Sequence, residues 1–370
     1  MNTGELKTTC LSDRHIALNA RMAPFGGYLM PIQYTGILAE HEAVRRHVGI
    51  FDTCHMGEFR LSGPTAETDL EHLVTCHVDT LRPGRCRYGM LCNPDGGVID
   101  DLLVYRLDDR TFMLVVNAGT AENDFDWIQS HLSPETRAEN LTDETAKVDI
   151  QGPASPPIVR SLLEQPIDEM VFYSFRENRF DGETVLVSRT GYTGEMGFEI
   201  YGSPDAIRKI WDRCLDAGVT PAGLGARDTL RLEMGMPLYG HELRADRNAA
   251  ESGFDRAIAR DKSFIGSDVV LDPNRTRQRL VGILFEGRRA ARAGETIQTP
   301  DGRNIGTITS GSFAPSLGRA VALAYLDKDF ARPDTRVSVP GTRRPLDGVT
   351  TPLPFYPNGT ARKPLHEFLK

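Results

Sequence analysis

Two adjacent carboxylates follow a glycine turn in this sequence. Their types and spacing give the clearest indication of catalysis or ligand binding. Residues 93–97 read Asn-Pro-Asp-Gly-Gly, a turn signal, and the apolar strand that follows contains Asp100 and Asp101. Side chains alternate along a strand, so the two carboxylates point to opposite faces and do not form a paired acid–base dyad. We expect one to face solvent or the turn and the other to face inward. An inward carboxylate needs a cation or hydrogen-bond donors, so it is either a structural cap or a catalytic group.

A second segment combines glycines with an aromatic and an acidic side chain. Residues 190–199 read Thr-Gly-Tyr-Thr-Gly-Glu-Met-Gly-Phe-Glu, and the three glycines predict a tight turn between two strands. Such a turn presents Tyr192, which can stack on a planar ring, and Glu199, which can accept two N–H donors from a heterocycle. The composition is equally consistent with a surface hairpin in which Glu199 is solvated.

Three further segments give weaker chemical signals. Residues 223–233 form a glycine-rich loop that enters a helix with Arg227 in its first turn, an arrangement that suits carboxylate binding. Cys54 and His55 are neighbours, but nucleophilic catalysis needs spatial adjacency, so structural packing is the favoured interpretation. Residues 307–318 are rich in small residues and predict a loop.

The elements that must position these residues predict an α+β fold. Helical spacing of apolar residues predicts helices that begin near Thr35, Pro64, Thr120, Pro153 and Ser203. Alternating or continuous apolar residues predict strands near residues 59–61, 102–107, 111–117, 148–150, 184–189 and 198–201. From about residue 277 the chain consists of short β runs divided by Gly and Pro, which predicts a separate all-β domain.

Composition excludes several classes of protein. The chain has 370 residues, 40% of them hydrophobic, and a formal net charge of −8, which indicates a multidomain globular protein and not a general nucleic-acid binder. No run approaches the ~18 apolar residues of a membrane helix, and residues 1–7 resemble neither a signal nor a transit peptide. Six cysteines without C-x-x-C spacing predict reduced thiols and no metal site. We therefore expect a cytoplasmic protein.

Taken together and in this order, the segments resemble the aminomethyltransferase (T-protein) family of the glycine cleavage system. The resemblance covers nearly the whole chain and rests on strings that are weak alone and specific in combination. These strings are Ala-Arg-Met at 20–22, Gly-Gly-Val-Ile-Asp-Asp-Leu at 96–102, Arg-Thr-Gly-Tyr-Thr-Gly-Glu at 189–195, Gly-Leu-Gly-Ala-Arg-Asp at 223–228, Ile-Thr-Ser-Gly at 308–311 and Pro-Phe-Tyr at 354–356.

The resemblance implies a fold and an activity. The fold is a three-lobed cloverleaf around a central folate channel, with two intertwined α+β domains and a C-terminal all-β, jelly-roll-like domain. The implied boundaries are residues 1–52 with about 140–227, about 53–139 with about 228–276, and about 277–370. The implied reaction transfers the aminomethyl group from the lipoyl arm of an H-protein to tetrahydrofolate, with release of ammonia and 5,10-methylenetetrahydrofolate. The lipoylated H-protein would bind transiently to a monomer, with no nucleic-acid or membrane partner.

The resemblance also implies roles for single residues. Asp101 matches the family's essential carboxylate, which would stabilise a cationic iminium-like carbon beside a folate nitrogen and manage the proton of the departing amine. Glu199 would hold the amino and ring nitrogens of the pterin. Residues implied to line the folate channel or to hold its shape are Tyr88, Tyr105, Asn117, Tyr192 and Arg227. Arg292 lies in a basic run that the family associates with the lipoyl-side surface, although a solvated run of charges is equally expected.

Three departures from the family pattern leave the exact substrate open. Thr53-Cys54 stands where the family usually has Val-Ser, Tyr28 replaces a common Trp, and Met236 stands where some members carry an aromatic residue.

Two rival functions follow from the same resemblance. A tetrahydrofolate-dependent demethylase of an O-, N- or S-methylated small molecule would keep Asp101 and Glu199 but have a different substrate mouth. A non-catalytic folate-binding factor for iron–sulfur assembly would carry a Lys-Gly-Cys loop, whereas residues 261–268 here contain no cysteine. Agreement along the whole chain favours the glycine-cleavage role.

Overall fold

The structure is a computed structural model that describes residues 6–341 and 344–369. Residues 1–5 lie outside the described residues. They include the start of the first predicted domain segment and most of residues 1–7, for which no targeting signal is predicted. The helices, in chain order, are α1 (Ser12–Ala17), α2 (Ile37–Arg46), α3 (Ala66–Leu73), α4 (Ala121–Ser130), α5 (Ser155–Leu162), α6 (Pro204–Asp216), α7 (Leu224–Glu233) and α8 (Ser267–Val270). Over the described ranges, none of these helices combines the length and the apolar character that crossing a bilayer requires.

The strands form a hairpin, two open sheets and a barrel. In chain order they are β1 (Arg21–Phe25), β2 (Tyr28–Gln33), β3 (Gly49–Asp52), β4 (Gly57–Ser62), β5 (Arg85–Cys92), β6 (Val98–Arg106), β7 (Thr111–Val116), β8 (Arg137–Asn140), β9 (Ala146–Gln151), β10 (Phe175–Phe180), β11 (Glu183–Ser188), β12 (Gly197–Gly202), β13 (Thr220–Pro221), β14 (Gln278–Phe285), β15 (Thr296–Gln298), β16 (Asn304–Ala314), β17 (Arg319–Asp327), β18 (Arg336–Val339) and β19 (Leu346–Thr351). The mixture of helices and largely antiparallel sheets confirms the predicted α+β class.

The five-stranded sheet has the order β5-β6-β7-β4-β8 and is antiparallel throughout. Its apolar face packs under α3 and α4, and this core contains Phe59, Leu61, Leu70, Leu73, Leu102, Val104, Leu114, Val116 and Ile128. The register aligns Tyr88 with Leu103, and Leu103 with Val115, so these side chains share the opposite face. That second face carries Asp101 and Tyr105, because alternation along β6 places them on the side of Leu103.

The six-stranded sheet has the order β10-β11-β12-β9-β3-β13, and only the β13–β3 pair is parallel. Its apolar face packs under α5 and α6 through Val148, Ile150, Val185, Val187, Phe198, Ile200, Ile207, Ile210 and Trp211. Helix α6 begins as predicted, because the Ser203 hydroxyl accepts a hydrogen bond from the Ala206 N–H at 3.1 Å. The other face is polar, since Glu199 pairs with Ser188 on one side and Asp149 on the other.

The C-terminal domain is a closed barrel in the order β14-β17-β16-β15-β18-β19. This confirms the predicted all-β domain after about residue 277. The prediction of a loop over residues 307–318 is wrong, because most of that segment belongs to β16 and only residues 315–318 form a turn. Small residues there serve close packing: a Cβ on Gly311 would lie 2.2 Å from the Ala291 carbonyl oxygen.

Helix α7 and the residues after the barrel join the barrel to the six-stranded sheet. Arg231 of α7 lies 2.9 Å from Ser310 of β16 and 3.1 Å from Glu242. After the barrel, residues 356–363, here called the C-terminal tail, return to the turn that precedes β12. There the Thr360 hydroxyl donates to Glu195 at 2.5 Å and accepts from the Met196 N–H at 2.7 Å, and the Ala361 N–H donates to the Gly194 carbonyl at 3.0 Å.

Candidate functional site

The polar faces of the two open sheets point toward each other, and the candidate site lies between them. Tyr105 of the five-stranded sheet crosses this space. Its hydroxyl lies 3.2 Å from Ser188 Oγ, 3.2 Å from Glu199 Oε2 and 3.1 Å from the Tyr201 hydroxyl, all on the six-stranded sheet. The two sheets therefore face each other, with helices covering their outer sides, and the region between them is here called the cleft.

Asp101 occupies one end of this cleft, held by two predicted site residues. The Tyr88 hydroxyl donates to its Oδ2 at 3.0 Å, and Asn117 Nδ2 donates to its Oδ1 at 2.9 Å. The carboxyl group is partly buried, and no cation pairs with it among the described residues. Burial and the neighbouring Asp100 raise the pKa of Asp101 to about 7, against the opposing effect of these hydrogen bonds.

Asp100 points to the other face, toward helix α4. It is fully buried and accepts hydrogen bonds from the Asn117 backbone N–H at 2.9 Å and from Asn117 Nδ2 at 2.8 Å. Burial and the nearby Asp124 of α4 raise its pKa well above the usual range, and burial raises the pKa of Asp124 to about 7. Asp124 is also fully buried, and neither of its carboxyl oxygens has a partner within the described part of the chain.

The alternation predicted for the Asp100–Asp101 pair is observed, but the expectation that one carboxylate faces solvent or the turn is wrong. Both lie inside the protein, because helix α4 covers one face of β6 and the second sheet covers the other. They do not contact each other directly, and a single amide, Asn117 Nδ2, bridges both. The turn before β6 forms as predicted, with Gly96 at a φ of +78°.

Glu199 occupies the other end of the cleft and is almost completely buried. Lys147 Nζ lies 3.2 Å from its Oε1, while Thr190, Tyr201 and Tyr105 contact its Oε2 at 2.6, 3.1 and 3.2 Å. The alternative of a solvated surface hairpin is therefore wrong. Asp101 and Tyr105 are four residues apart on one strand, so the two ends of the cleft are separated by roughly 13 Å of backbone.

A second ion pair stands beside Glu199. Arg227 lies 2.7 Å from Asp149 Oδ2, and Thr53 donates to Asp149 Oδ1 at 2.8 Å. Burial alone would raise the pKa of Asp149, but Lys147 and Arg227 outweigh it and hold the pKa below its usual value. Burial likewise acts to lower the pKa of Lys147, and Asp149 and Glu199 reverse that effect. These groups are therefore charged in the folded protein.

Tyr192 lies on the turn that precedes β12, between these two ends. Its hydroxyl donates to the Pro237 carbonyl, and the Arg227 guanidinium lies 5.0 Å from its ring centroid. Asp101 and Arg227 both influence its pKa, which burial raises, so Tyr192 lies within electrostatic range of both ends. The structure thus brings together Tyr88, Tyr105, Asn117, Tyr192, Glu199, Arg227 and Asp101.

Arg292 is not part of this group. It is exposed on the loop between β14 and β15, where its backbone N–H donates to Glu295 at 2.7 Å. Its side chain forms no ion pair with the residues described.

The neighbouring Cys54 and His55 are consistent with the packing interpretation. The Cys54 thiol donates to the Lys147 carbonyl at 3.1 Å, and the His55 ring packs edge-on against Phe25 and Tyr28 at centroid distances of 5.6 and 6.3 Å. Burial lowers the pKa of His55 to about 4, so the imidazole is neutral. Tyr28, one of the departures from the family pattern, therefore covers this histidine.

Sequence reasoning missed Lys147, Asp149 and Glu58. Lys147 and Asp149 flank Val148 in β9, and the pattern Lys-Val-Asp-Ile-Gln signals a strand with one polar face. Because α5 and α6 follow and cover the apolar face, that polar face had to point into the protein. Glu58 follows Gly57 in the same alternating pattern in β4. The pairing of Lys147 and Asp149 with Glu199 and that of Glu58 with Val115 are set by sheet register, which local sequence does not reveal.

The arrangement offers two kinds of chemistry in one cleft. At one end a carboxyl with a pKa of about 7 can exchange a proton near neutrality. At the other end a charged, cation-supported carboxylate can accept N–H donors. A flat heterocycle with N–H donors on one edge and a reactive nitrogen on the other complements both ends. Among ligands with these features are reduced pterins.

Comparisons with known proteins identify the family. The model described as the GCVT N-terminal domain matches residues 11–262, and the one described as the glycine cleavage T-protein C-terminal barrel domain matches residues 278–357. Aminomethyltransferases from Desulforamulus reducens and Halothermothrix orenii are each 40% identical to this chain over 359 and 357 residues. Both alignments cover 95% of this chain, and they cover 98% and 100% of the two relatives.

A solved structure agrees with this assignment. The crystal structure of glycine cleavage system aminomethyltransferase T from Bartonella henselae matches with a TM-score of 0.91 and 31% identity, over 97% of this chain and 100% of that one. The predicted family and fold are both confirmed. The chain belongs to the glycine cleavage T-protein family of aminomethyltransferases.

Proposed function

We propose that this protein is the tetrahydrofolate-dependent aminomethyltransferase of a glycine cleavage system. It moves the aminomethyl carbon of an S-aminomethyldihydrolipoyl H-protein to tetrahydrofolate and releases ammonia and 5,10-methylenetetrahydrofolate. The observation that carries this proposal is the placement of Asp101, with a pKa of about 7, in the same cleft as the buried Glu199 carboxylate. Family membership over nearly the whole chain supports it.

The residues of the cleft fit tetrahydrofolate. The pyrimidine edge of a pterin carries adjacent N–H donors, and Glu199 presents a buried acceptor whose charge is supported by Lys147. Tyr88, Tyr105 and Tyr192 supply aromatic surface and hydroxyl groups between the two ends, and Arg227 holds Asp149 and the Tyr192 ring in place. Tetrahydrofolate supplies the nitrogen nucleophiles that accept the one-carbon unit.

Asp101 carries out the proton chemistry at the other end. The reaction breaks the bonds of the methylene carbon to the amine and to the lipoyl sulfur, and the carbon forms new bonds to N5 and N10 of tetrahydrofolate. The two protons that these folate nitrogens give up leave with the amine, as ammonia, and with the sulfur, as the dihydrolipoyl thiol of the H-protein. A carboxyl with a pKa near 7 can hold or release a proton at this point, and in its ionised form it stabilises the positive charge that develops on the carbon. Tyr88 and Asn117 fix the orientation of both carboxyl oxygens.

We further propose the surroundings in which this cleft works. The lipoylated H-protein binds transiently, with the exposed Arg292 on its docking surface, and the enzyme acts as a cytoplasmic monomer. We also propose the domain division at residues 1–52 with about 140–227, about 53–139 with about 228–276, and about 277–370. The strand membership of the six-stranded sheet, the five-stranded sheet and the barrel supports this division.

A product assay distinguishes this function from the demethylase alternative, which the relatives do not favour. The purified protein is incubated with tetrahydrofolate and either aminomethylated H-protein or methylated small molecules. We expect 5,10-methylenetetrahydrofolate and ammonia from the H-protein donor only. Formation of 5-methyltetrahydrofolate from a methylated donor would support the demethylase, and folate binding without turnover on either donor would support a non-catalytic binding protein.

A further inference from the structure

Glu58 is a buried carboxyl group that the proposed mechanism does not use. It lies on β4 with 1% of its surface exposed, and neither carboxyl oxygen has a hydrogen-bond partner among the described residues. An unpaired polar group in the interior destabilises a fold unless something meets it. Such a group inside a ligand cleft calls for a ligand atom.

Sheet register places Glu58 on the wall of the cleft. It pairs with Val115, Val115 pairs with Leu103, and Leu103 pairs with Tyr88. Residues paired across antiparallel strands project to the same side, so Glu58 and Tyr88 project from the cleft face of the sheet. Strand spacing of ~4.8 Å puts Glu58 about 10 Å from β6 along the hydrogen-bond direction, a distance that a pteridine ring system can span.

The cations near the cleft pair with carboxylates other than Glu58 in the part of the chain that the structure describes. Arg227 and Lys147 pair with Asp149 and Glu199 at distances of 2.7 to 3.5 Å. Glu58 forms no ion pair with the residues described. Burial raises its pKa well above the usual value, Lys147 opposes this and Glu199 adds to it, so the interior favours the neutral carboxyl. A protonated carboxyl is a hydrogen-bond donor, which Glu199 is not.

Glu40 is a buried carboxylate with a structural role in the same chain, and its hydrogen bonds provide a comparison with Glu58. Its Oε1 accepts the backbone N–H groups of Tyr34, Thr35 and Gly36 at 2.6, 2.9 and 3.0 Å, and its Oε2 accepts that of Gly223 at 2.9 Å. Glu40 is fully buried and well supplied with donors. Glu58 is buried to a similar extent, and its carboxyl oxygens have no donor in the part of the chain that the structure describes.

We propose that Glu58 is a specificity residue of the folate site, where its carboxyl donates a hydrogen bond to the exocyclic oxygen of a 4-oxo pteridine. This rests on the proposed function. In such a ring the oxygen lies between the N–H edge that Glu199 complements and the nitrogen that reacts near Asp101. Glu58 thus recognises the one polar edge for which neither Glu199 nor Asp101 provides a donor.

Two variants of the full-length protein test the proposal by calorimetry with 5-formyltetrahydrofolate at pH 7. Glu58→Met removes the donor at similar volume, and we expect ~10-fold weaker binding, the effect of losing about one hydrogen bond. Glu58→Gln keeps an N–H donor, and we expect affinity within ~3-fold of wild type. Without ligand, Glu58→Met should have a higher melting temperature than wild type, whereas the matched control Glu40→Met should have a lower one.

The outcomes separate the inference from the proposed function. Unchanged affinity in Glu58→Met, or an equal loss in Glu58→Gln and Glu58→Met, would overturn the role of Glu58 while leaving the folate site intact. Failure of the wild-type protein to bind 5-formyltetrahydrofolate would overturn the proposed function and this inference with it.

Discussion

The two ends of the cleft have opposite effects on the pKa values of their buried acid groups. Around Glu199 and Asp149, two cations and several hydroxyls contact the carboxylates, and Lys147 and Arg227 hold the pKa of Asp149 below its usual value. Around Asp101, carboxyl groups stand near one another without a cation among the described residues, and the pKa values of Asp101 and Asp124 rise to about 7. The first arrangement stabilises ionised carboxylates, and the second gives carboxyl groups that can gain or lose a proton near neutrality.

This difference indicates a division of labour. A carboxylate whose charge is fixed gives the same hydrogen-bonding pattern at every physiological pH, which suits recognition of a substrate. A carboxyl poised near neutrality exchanges protons at little cost, which suits catalysis. Substitutions at the two ends should therefore affect different quantities, and four of them can break or sharpen the comparison.

The largest effect is expected for Asp101→Asn, which removes the exchangeable proton and keeps the side-chain shape. Turnover should fall ~10²–10⁴-fold, the usual range for loss of general acid–base help. Binding of tetrahydrofolate should stay within a few-fold, because Glu199 is untouched. Steady-state kinetics and calorimetry measure the two quantities, and exposed Asp95→Asn in the preceding turn is the control. Full activity in Asp101→Asn would disprove the catalytic assignment.

Of the four variants, Lys147→Met should lower the free energy of unfolding most. The change leaves Glu199 and Asp149 buried with one cation instead of two, and breaking a buried ion pair costs ~3–5 kcal/mol. Urea denaturation measures the free energy of unfolding. The control is Lys209→Met, whose ion pair with Glu183 is exposed to solvent and should contribute far less to stability. Equal losses in the two variants would show that the charges at this end are not effectively buried.

Glu199→Gln should affect binding more than catalysis. The amide presents N–H groups where the pterin also presents donors, so we expect ~10–100-fold weaker binding of tetrahydrofolate, or about 1.4–2.7 kcal/mol. Turnover at saturating folate should change much less than in Asp101→Asn. If calorimetry instead gave wild-type affinity, Glu199 would not be the group that holds the pterin.

The effect expected for Asp124→Asn is on stability and depends on pH. The folded-state pKa of Asp124 is about 7 and its ordinary value is 3.8, so its contribution to stability is complete below about pH 4 and is lost as pH rises through 7. The variant should therefore gain stability relative to wild type between pH 5 and pH 8. Thermal unfolding over this range, with exposed Asp126→Asn as control, measures the gain. A pH-independent difference would contradict the buried-acid description.

Local patterns in the sequence were sufficient for much of the fold. The cap at Ser203, the turn before β6 and the alternation of Asp100 and Asp101 depend on neighbouring residues, and the structure shows each of them. Family strings then pointed to the cleft residues on both walls. Asp101 and Glu199 could be named in this way without knowing how the sheets pack.

The remaining features depend on contacts between distant segments. Glu58 is a site candidate only because β4 pairs with β7 in one register, and Asp124 raises the pKa of Asp100 only because α4 packs on β6. The loop prediction for residues 307–318 is wrong because small residues also permit tight packing of a strand, as Gly311 of β16 does against the Ala291 carbonyl. Propensity alone does not distinguish these cases.

The C-terminal tail has a consequence for how the protein is handled. Thr360 and Ala361 bind the Gly194–Met196 turn, and Arg189 donates hydrogen bonds to the carbonyls of Ala361 and Lys363. The matched barrel domain ends at residue 357, before these contacts. An expression fragment cut at that boundary would keep every barrel strand yet free the turn that carries Tyr192. A purification tag is therefore better placed at the other terminus.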